Sequence, residues 1–195
     1  PSFDLSVVAE IFKLACLLHD VGHAPFSHTG EKFYLGTGHD YSQLHYKLAT
    51  VFGSPEFEAD IPEDKSQAAA PHEIVSAIVG LSEYARFFAD TEQKEFFARC
   101  ITGYQYSDIE SEENNLKNCF ISMLNSKVID VDKLDYLIRD AYITGFDTVN
   151  IDYDRLLTAI TVAKDTGKYK IAYEKNAVSV IENVVYAHDA ERKWI

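Results

Sequence analysis

Cysteine is scarce in this chain, and long apolar runs are missing altogether. Cys16, Cys100 and Cys119 are an odd number without CxxC spacing, which argues against a disulfide framework or a zinc knuckle. They read instead as reduced core thiols of a cytoplasmic protein. No stretch approaches the ~20 consecutive apolar residues of a membrane-spanning helix. Positive charge is also in short supply: 18 Lys and Arg stand against 31 Asp and Glu, a formal net charge of −13. Broad contact with a nucleic-acid backbone normally recruits a basic face, so that class of partner is disfavoured. A phosphorylated small molecule is compatible with the acidity if the site is locally positive, through a divalent ion, a lysine or histidines. There is no internal repeat or low-complexity tract. The rest of the composition, 47% hydrophobic and 25% charged, is that of an ordinary globular protein. A chain of 195 residues suffices for one sizeable domain, expected to cover 1–195, that buries roughly 70% of its unfolded surface.

The histidines are where the chain concentrates its chemistry. Residues 14–31 read Leu-Ala-Cys-Leu-Leu-His-Asp-Val-Gly-His-Ala-Pro-Phe-Ser-His-Thr-Gly-Glu. Leu14, Leu17, Leu18 and Val21 recur at three- and four-residue steps, predicting a helix with one buried face. Asp4 or Ser6 is placed to cap it, with Leu5, Val8, Ile11 and Phe12 on its apolar side, and it is expected to run from about residue 5 to Val21. His19 and His23 then lie one helical turn apart and look toward the same space. Asp20 sits about 100° round from His19, able to reach the same ion if that ion lies between the two directions. Gly22 and Pro25 end the helix before Phe26-Ser27-His28. Burying several ionisable groups beside leucines is costly unless an ion or a partner satisfies them.

A second dense stretch lies at 128–145, Val-Ile-Asp-Val-Asp-Lys-Leu-Asp-Tyr-Leu-Ile-Arg-Asp-Ala-Tyr-Ile-Thr-Gly. Val131, Leu134, Leu137 and Ile138 form an apolar helical stripe. Asp132 and Tyr136 share another face, with Lys133, Tyr136 and Asp140 able to line a rim. Between the two stretches, Pro71-His72-Glu73 opens a helix with proline near its first turn.

Together, HDVGHAPFSHTGE at 19–31, PHE at 71–73 and DVDKLDYLIRDAYITG at 130–145 resemble the HD-domain phosphohydrolases, in particular the branch of dNTP triphosphohydrolases and their bacterial relatives. The resemblance spans most of the chain in order. It implies a mainly α protein, an HD-type helical bundle, and a divalent metal held by His19, Asp20 and Asp132. It implies His72 as a proton donor oriented by Glu31, where many relatives carry Asp. His28 and Lys133, with His23 near them, would contact phosphates, and Tyr136 and Asp140 would hold the sugar. The mixed nitrogen and oxygen ligands suit Mn, Fe, Ni, Zn or Mg. In relatives an upstream His on an earlier helix completes the metal set. None of the eighteen residues before His19 is histidine, so the chain is expected to be a piece of a longer protein. Relatives of this kind oligomerise, and a homodimer is the corresponding expectation.

Elsewhere the patterns predict packing. His39 and His45 match no position of the motifs, and Tyr41–Phe52 reads as helical. The proline- and acid-rich stretch 54–71 reads as a solvated connection. Residues 84–104 hold helically spaced phenylalanines around a polar break at Asp90–Lys94, and 105–118 reads as an exposed acidic loop before a helix opening at Cys119. Tyr153–Lys164 is expected as an amphipathic helix. A small β-hairpin is expected over 169–178, turning at Lys175-Asn176, followed by a helix over Ser179–Trp194 with Ile181, Val184, Val185 and Ala187 inward. His188-Asp189 repeats the dyad without its flanking motif and reads as surface.

The expected activity is metal-dependent hydrolysis of nucleoside triphosphates to nucleoside plus triphosphate. The alternatives are a phosphatase or phosphodiesterase acting on another phosphorylated metabolite, and a nucleotide-binding regulatory module whose chemistry has lapsed. The cyclic-dinucleotide branch is disfavoured, because no Gly-Tyr-Pro motif or extra histidine pair follows the dyad.

Overall fold

The computed structural model describes residues 3–34, 42–64, 68–126, 129–145 and 151–193. His39 and Tyr41, the loop 146–150 and Trp194 lie outside them. The chain divides into two compact units, Pro1–Ile121 and Ser122–Ile195.

The first unit is helical: α1 Leu5–Leu18, α2 Ser42–Phe52, α3 Pro55–Asp60, α4 Pro71–Glu83, α5 Thr91–Thr102 and most of α6 Glu112–Leu124. Asp4 caps α1, its carboxylate accepting the Ser6 N–H. The buried stripe of α1 is Val8, Ile11, Phe12, Ala15 and Leu18, whereas Leu17 and Val21 are exposed. The expected stripe was therefore rotated: the three- and four-residue steps are right, but they run through Ala15 and not through Leu17.

The core gathers round α5, which packs against α1, α2 and α4. Every residue of α5 from Phe96 to Thr102 is buried. One of them is Arg99, whose guanidinium reaches Asp60 at 2.9 Å and Glu95 at 2.8 Å. It also donates to the Tyr104 and Gln105 carbonyls and lies 4.0 Å from the centre of the Tyr106 ring. A buried charge is tolerated only when paired and hydrogen-bonded in this way. Gly80 lets α4 approach α5: a Cβ there would come within 2.4 Å of the Phe97 ring.

Two stretches depart from expectation. Residues 54–71 hold a real helix, capped by Ser54, with Phe57 fully buried edge-on to Phe52 and Asp60 tied to Arg99. The acidic loop shortens because α6 begins at Glu112, and Asn115, Lys117 and Asn118 are buried. Lys117 bridges Glu92 at 2.5 Å and Glu113 at 2.7 Å. In both places acids that look solvated are partners of buried cations.

The second unit carries α7 Val131–Thr144, α8 Tyr153–Thr158, strands β1 Ile160–Asp165 and β2 Lys168–Tyr173, and α9 Val178–Glu191. Its core is Ile129, Leu137, Leu156, Val180, Val184 and Ala187, with Leu134, Tyr136 and Tyr173 packed against it. Ile138 and Val185 are exposed. The hairpin is present near the C-terminal end, but β2 pairs backward with β1, Ile160 opposite Tyr173. The turn falls at Thr166-Gly167, both at positive φ. The expected helix over 153–164 stops at Thr158, because Ile160–Asp165 finds a strand partner that no local pattern announces. No described helix is long and apolar enough to cross a membrane.

Candidate active site

The site of the first unit is assembled just past the C-terminal end of α1. The helix stops at Leu18, earlier than expected, and His19 caps it. Val21 and His23 donate backbone N–H groups to Leu18 and Asp20, three residues back. His19 and His23 are thus related by tight turns and not by one turn of helix. Gly22 is required here by space: a Cβ would sit 2.3 Å from the Ser76 nitrogen and 2.6 Å from the His72 carbonyl oxygen. Its N–H donates to Ser76 Oγ at 2.8 Å, and its carbonyl accepts from the Tyr34 hydroxyl at 2.8 Å. The histidine-bearing turn is in this way pressed onto the first turns of α4, which carries His72.

His19 Nδ1 lies 2.8 Å from the Cys16 carbonyl. A carbonyl only accepts, so Nδ1 carries the proton and, in the neutral ring, Nε2 presents its lone pair. Nε2 is 3.6 Å from Asp20 Oδ1, which is 3.4 Å from His23 Nε2. Orientation of a ring through its other nitrogen is the usual support of a metal-ligating histidine. His19 and Asp20 therefore fit the role of ion ligands by donor chemistry.

Beside them, Phe26 and Ser27 both adopt left-handed backbone, φ 66° and 53°, at a cost of roughly 1–2 kcal/mol each for residues with a Cβ. This turns the chain so that His28 faces back on Glu31. Glu31 Oε1 accepts from His28 Nδ1 at 2.6 Å and from His72 Nδ1 at 2.7 Å. His23 stacks on His72 with ring centroids 4.0 Å apart and planes 12° apart, and His28 meets both rings edge-on at 5.2 Å. Three imidazoles thus surround one carboxylate. The longer Glu at position 31 reaches both rings.

Burial opposes ionisation of Glu31, but the two histidine hydrogen bonds outweigh it and hold the carboxyl below the ordinary range. His72 is buried, which lowers its basicity; the Glu31 hydrogen bond works the other way and does not fully compensate, with His23 lowering it further. Exposure of His72 to water at a helix start is therefore not what is found. Glu73 accepts the Ala70 N–H at 2.5 Å; burial pushes its carboxyl up to about 7, with Asp20 adding to the rise. Glu73, Ser76 and Tyr34 were given no role by the sequence reading. Ser76 had one signal, its place one turn after His72 on the same face.

The remaining expected residues lie on α7. Asp130 caps it, accepting the Lys133 N–H at 2.7 Å. Asp132 lies in the first turn. The Lys133 ammonium contacts the Asp130 carboxylate and donates to the Ser126 carbonyl at 3.0 Å. Tyr136 packs on the core of the second unit; burial, with Glu191 and Asp132, pushes its hydroxyl up to about 12. Asp140 lies 3.5 Å from Arg139. Of the other histidines, His45 is buried against the Tyr104 hydroxyl at 2.7 Å, and His188 is 3.8 Å from Asp189. Cys100 and Cys119 are buried, and burial pushes the Cys16 thiol up to about 11, which suits inert core thiols.

Residues 4–99 match the family model of the HD domain, and that stretch of the chain belongs to the HD-domain family. It is similar to the uncharacterized protein MG461 homolog of Mycoplasma pneumoniae, 27% identical over 172 residues, covering 87% of this chain and 33% of that protein. It is also similar to the uncharacterized protein YwfO of Bacillus subtilis, 25% identical over 176 residues, 90% of this chain and 30% of that protein. A third relative is the deoxynucleoside triphosphate triphosphohydrolase SAMHD1 homolog of Dictyostelium discoideum, 30% identical over 159 residues, 78% of this chain and 24% of that protein. The chain spans a third or less of the length of these relatives.

Proposed function

We propose that the protein hydrolyses (deoxy)nucleoside triphosphates to nucleoside plus triphosphate in a metal-dependent reaction. The observation that carries this reading is the double hydrogen bond of Glu31 to His28 and His72, set beside the oriented His19–Asp20 pair. His19 and Asp20 would hold the ion, with Asp132 as the further ligand that the family resemblance calls for. A divalent ion so held supplies positive charge to a phosphoryl oxygen and makes water a competent nucleophile near neutral pH.

The protein's own groups do the rest. Water attacks the α-phosphorus, the bond from that phosphorus to the sugar oxygen breaks, and the leaving oxygen needs a proton. His72 donates it from Nε2 while Glu31 holds Nδ1–H, the orientation expected of a general acid. His23 and His28, with Lys133, stabilise the charge that gathers on the phosphate oxygens. Tyr136 and Asp140 hold the sugar. The protein is proposed to work as a homodimer in the cytoplasm.

The test is a screen of the full-length, Mn-loaded protein against dNTPs, nucleoside monophosphates and cyclic nucleotides. Free triphosphate from dNTPs is the expected product; orthophosphate from monophosphates, or opening of cyclic nucleotides, would establish the phosphatase or phosphodiesterase alternative. Nucleotide binding without turnover would establish the regulatory one. Asp132→Ala should abolish turnover with the helical circular dichroism intact, and retained activity would remove Asp132 from the metal set.

A further inference from the structure

His23, His28, Glu31 and His72 each offer a ligand atom, and these atoms lie within 4.8 Å of one another. The three imidazoles pack ring against ring, and neutral imidazole is the ligating form. The anionic member, Glu31, has its side chain only 12% exposed and already draws two ring nitrogens to one oxygen. A tetrahedral ion with bonds of ~2.0–2.1 Å requires ligand atoms about 3.3 Å apart. The pairs at 2.6 and 2.7 Å need to open by less than about 1 Å to reach that spacing. His28, with its side chain 73% exposed, sits on a short turn and is free to make that adjustment.

We propose that these four residues form a binding site for a borderline divalent cation, zinc by preference, separate from the ion assigned to His19, Asp20 and Asp132. Three nitrogens and one oxygen suit Zn²⁺ or Co²⁺ better than Mg²⁺. The cation takes the place of the protons that His28 and His72 share with Glu31; each proton passes to the ring's Nε2 or to solvent. One consequence rests on the function proposed above: with a cation on Nδ1, His72 keeps at most an Nε2–H that is a far weaker acid than imidazolium, so zinc in excess silences the hydrolase. The two carboxylate-linked histidines would then act as acid machinery when the cation is absent and as ligands when it is present.

The experiment uses metal-stripped, full-length protein with cobalt as the probe. In a variant carrying His19→Ala and Asp132→Ala, one equivalent of Co²⁺ should still give the intense visible absorption of a tetrahedral centre. Adding Glu31→Gln or His72→Ala should remove that absorption. Adding His28→Ala instead, at an exposed position that does not threaten folding, should weaken cobalt binding at least about tenfold. No tetrahedral signal in the double variant, or binding indifferent to His28→Ala, overturns the site. In the protein with its native residues, loaded with Mn, zinc should inhibit dNTP turnover, and His28→Ala should raise the zinc needed about tenfold. Unchanged turnover with the cobalt-binding site filled overturns the competition. If no nucleotide is turned over at all, it is the proposed hydrolase function that fails, and the cobalt spectra alone decide the site.

Discussion

The two motif-bearing segments, 19–31 and 130–145, look alike in sequence, each an apolar rhythm interrupted by charges, and yet they are held in different ways. In the first, the decisive contacts join residues far apart in the chain: Glu31 to His72, Gly22 to Ser76, His23 to His72. In the second, the polar contacts are mostly local to the helix, Lys133 to Asp130, Arg139 to Asp135, Thr144 Oγ1 to the Asp140 carbonyl. A helix that satisfies its own charges exists largely for its own reasons. A turn whose Gly22 and Glu31 are met by Ser76 and His72 of another helix exists only in the folded unit, and its residues are correspondingly sensitive.

The sharpest way to break this contrast is at His72. His72→Ala in the full-length protein should lower kcat by roughly 100- to 10,000-fold, with a much smaller change in KM. A loss confined to KM would reassign His72 to binding. Two glycines test the packing side next. Gly22→Ala forces a methyl into the backbone of α4 and should cost about 1–3 kcal/mol, read as a lower Tm and as loss of activity together. Gly145→Ala, at φ 67° with open space around it, should cost only about 1 kcal/mol of backbone strain and leave the site of the first unit unchanged. Equal effects at the two glycines would erase the distinction between the segments.

A third test uses pH. The Glu73 carboxyl is raised by burial from 4.5 to about 7, so the folded state binds its proton more tightly than the unfolded chain does. Its contribution to stability is full below about pH 4.5 and is lost as pH rises through about 7. Glu73→Gln keeps an acceptor for the Ala70 N–H without the charge. It should stabilise the protein by about 1–3 kcal/mol at pH 8 and by much less at pH 5, measured by chemical denaturation at both. A stabilisation independent of pH would refute the assignment. The smallest effect is expected on α7: Arg139→Ala removes an exposed ion pair with Asp135 and should change stability by less than about 0.5 kcal/mol.

Much of this was legible before any coordinates. The cap at Asp4, the start of α4 at Pro71, the break at Asp90, the last helix and the presence of a hairpin follow from short-range chemistry, because caps, breakers and periodicity act within one or two turns of chain. His72, Glu31, His23 and His28 were assigned from the motifs they stand in, and the fold brings these four together. What escaped were features whose cause lies elsewhere in the chain. The strand Ile160–Asp165 looked helical because its partner, not its pattern, decides its state. Phe57 and Asp60 looked solvated because Arg99, which holds Asp60, lies on another helix. The exposed Leu17 and the buried Ala15 exchanged places because which side of an apolar helix is covered depends on the neighbour.

By itself, then, the sequence determined the helical character of the chain, most of its element starts, its HD-domain family and the kinds of donor atoms available, all properties carried by residue type and short spacing. The tertiary structure alone decided that α1 stops at Leu18, that Gly22 meets α4 without a side chain between, and that one oxygen of Glu31 serves two imidazoles. Those are distances between atoms that only packing brings together, and hydrogen bonds and metal ligation act over a few ångströms regardless of how many residues intervene.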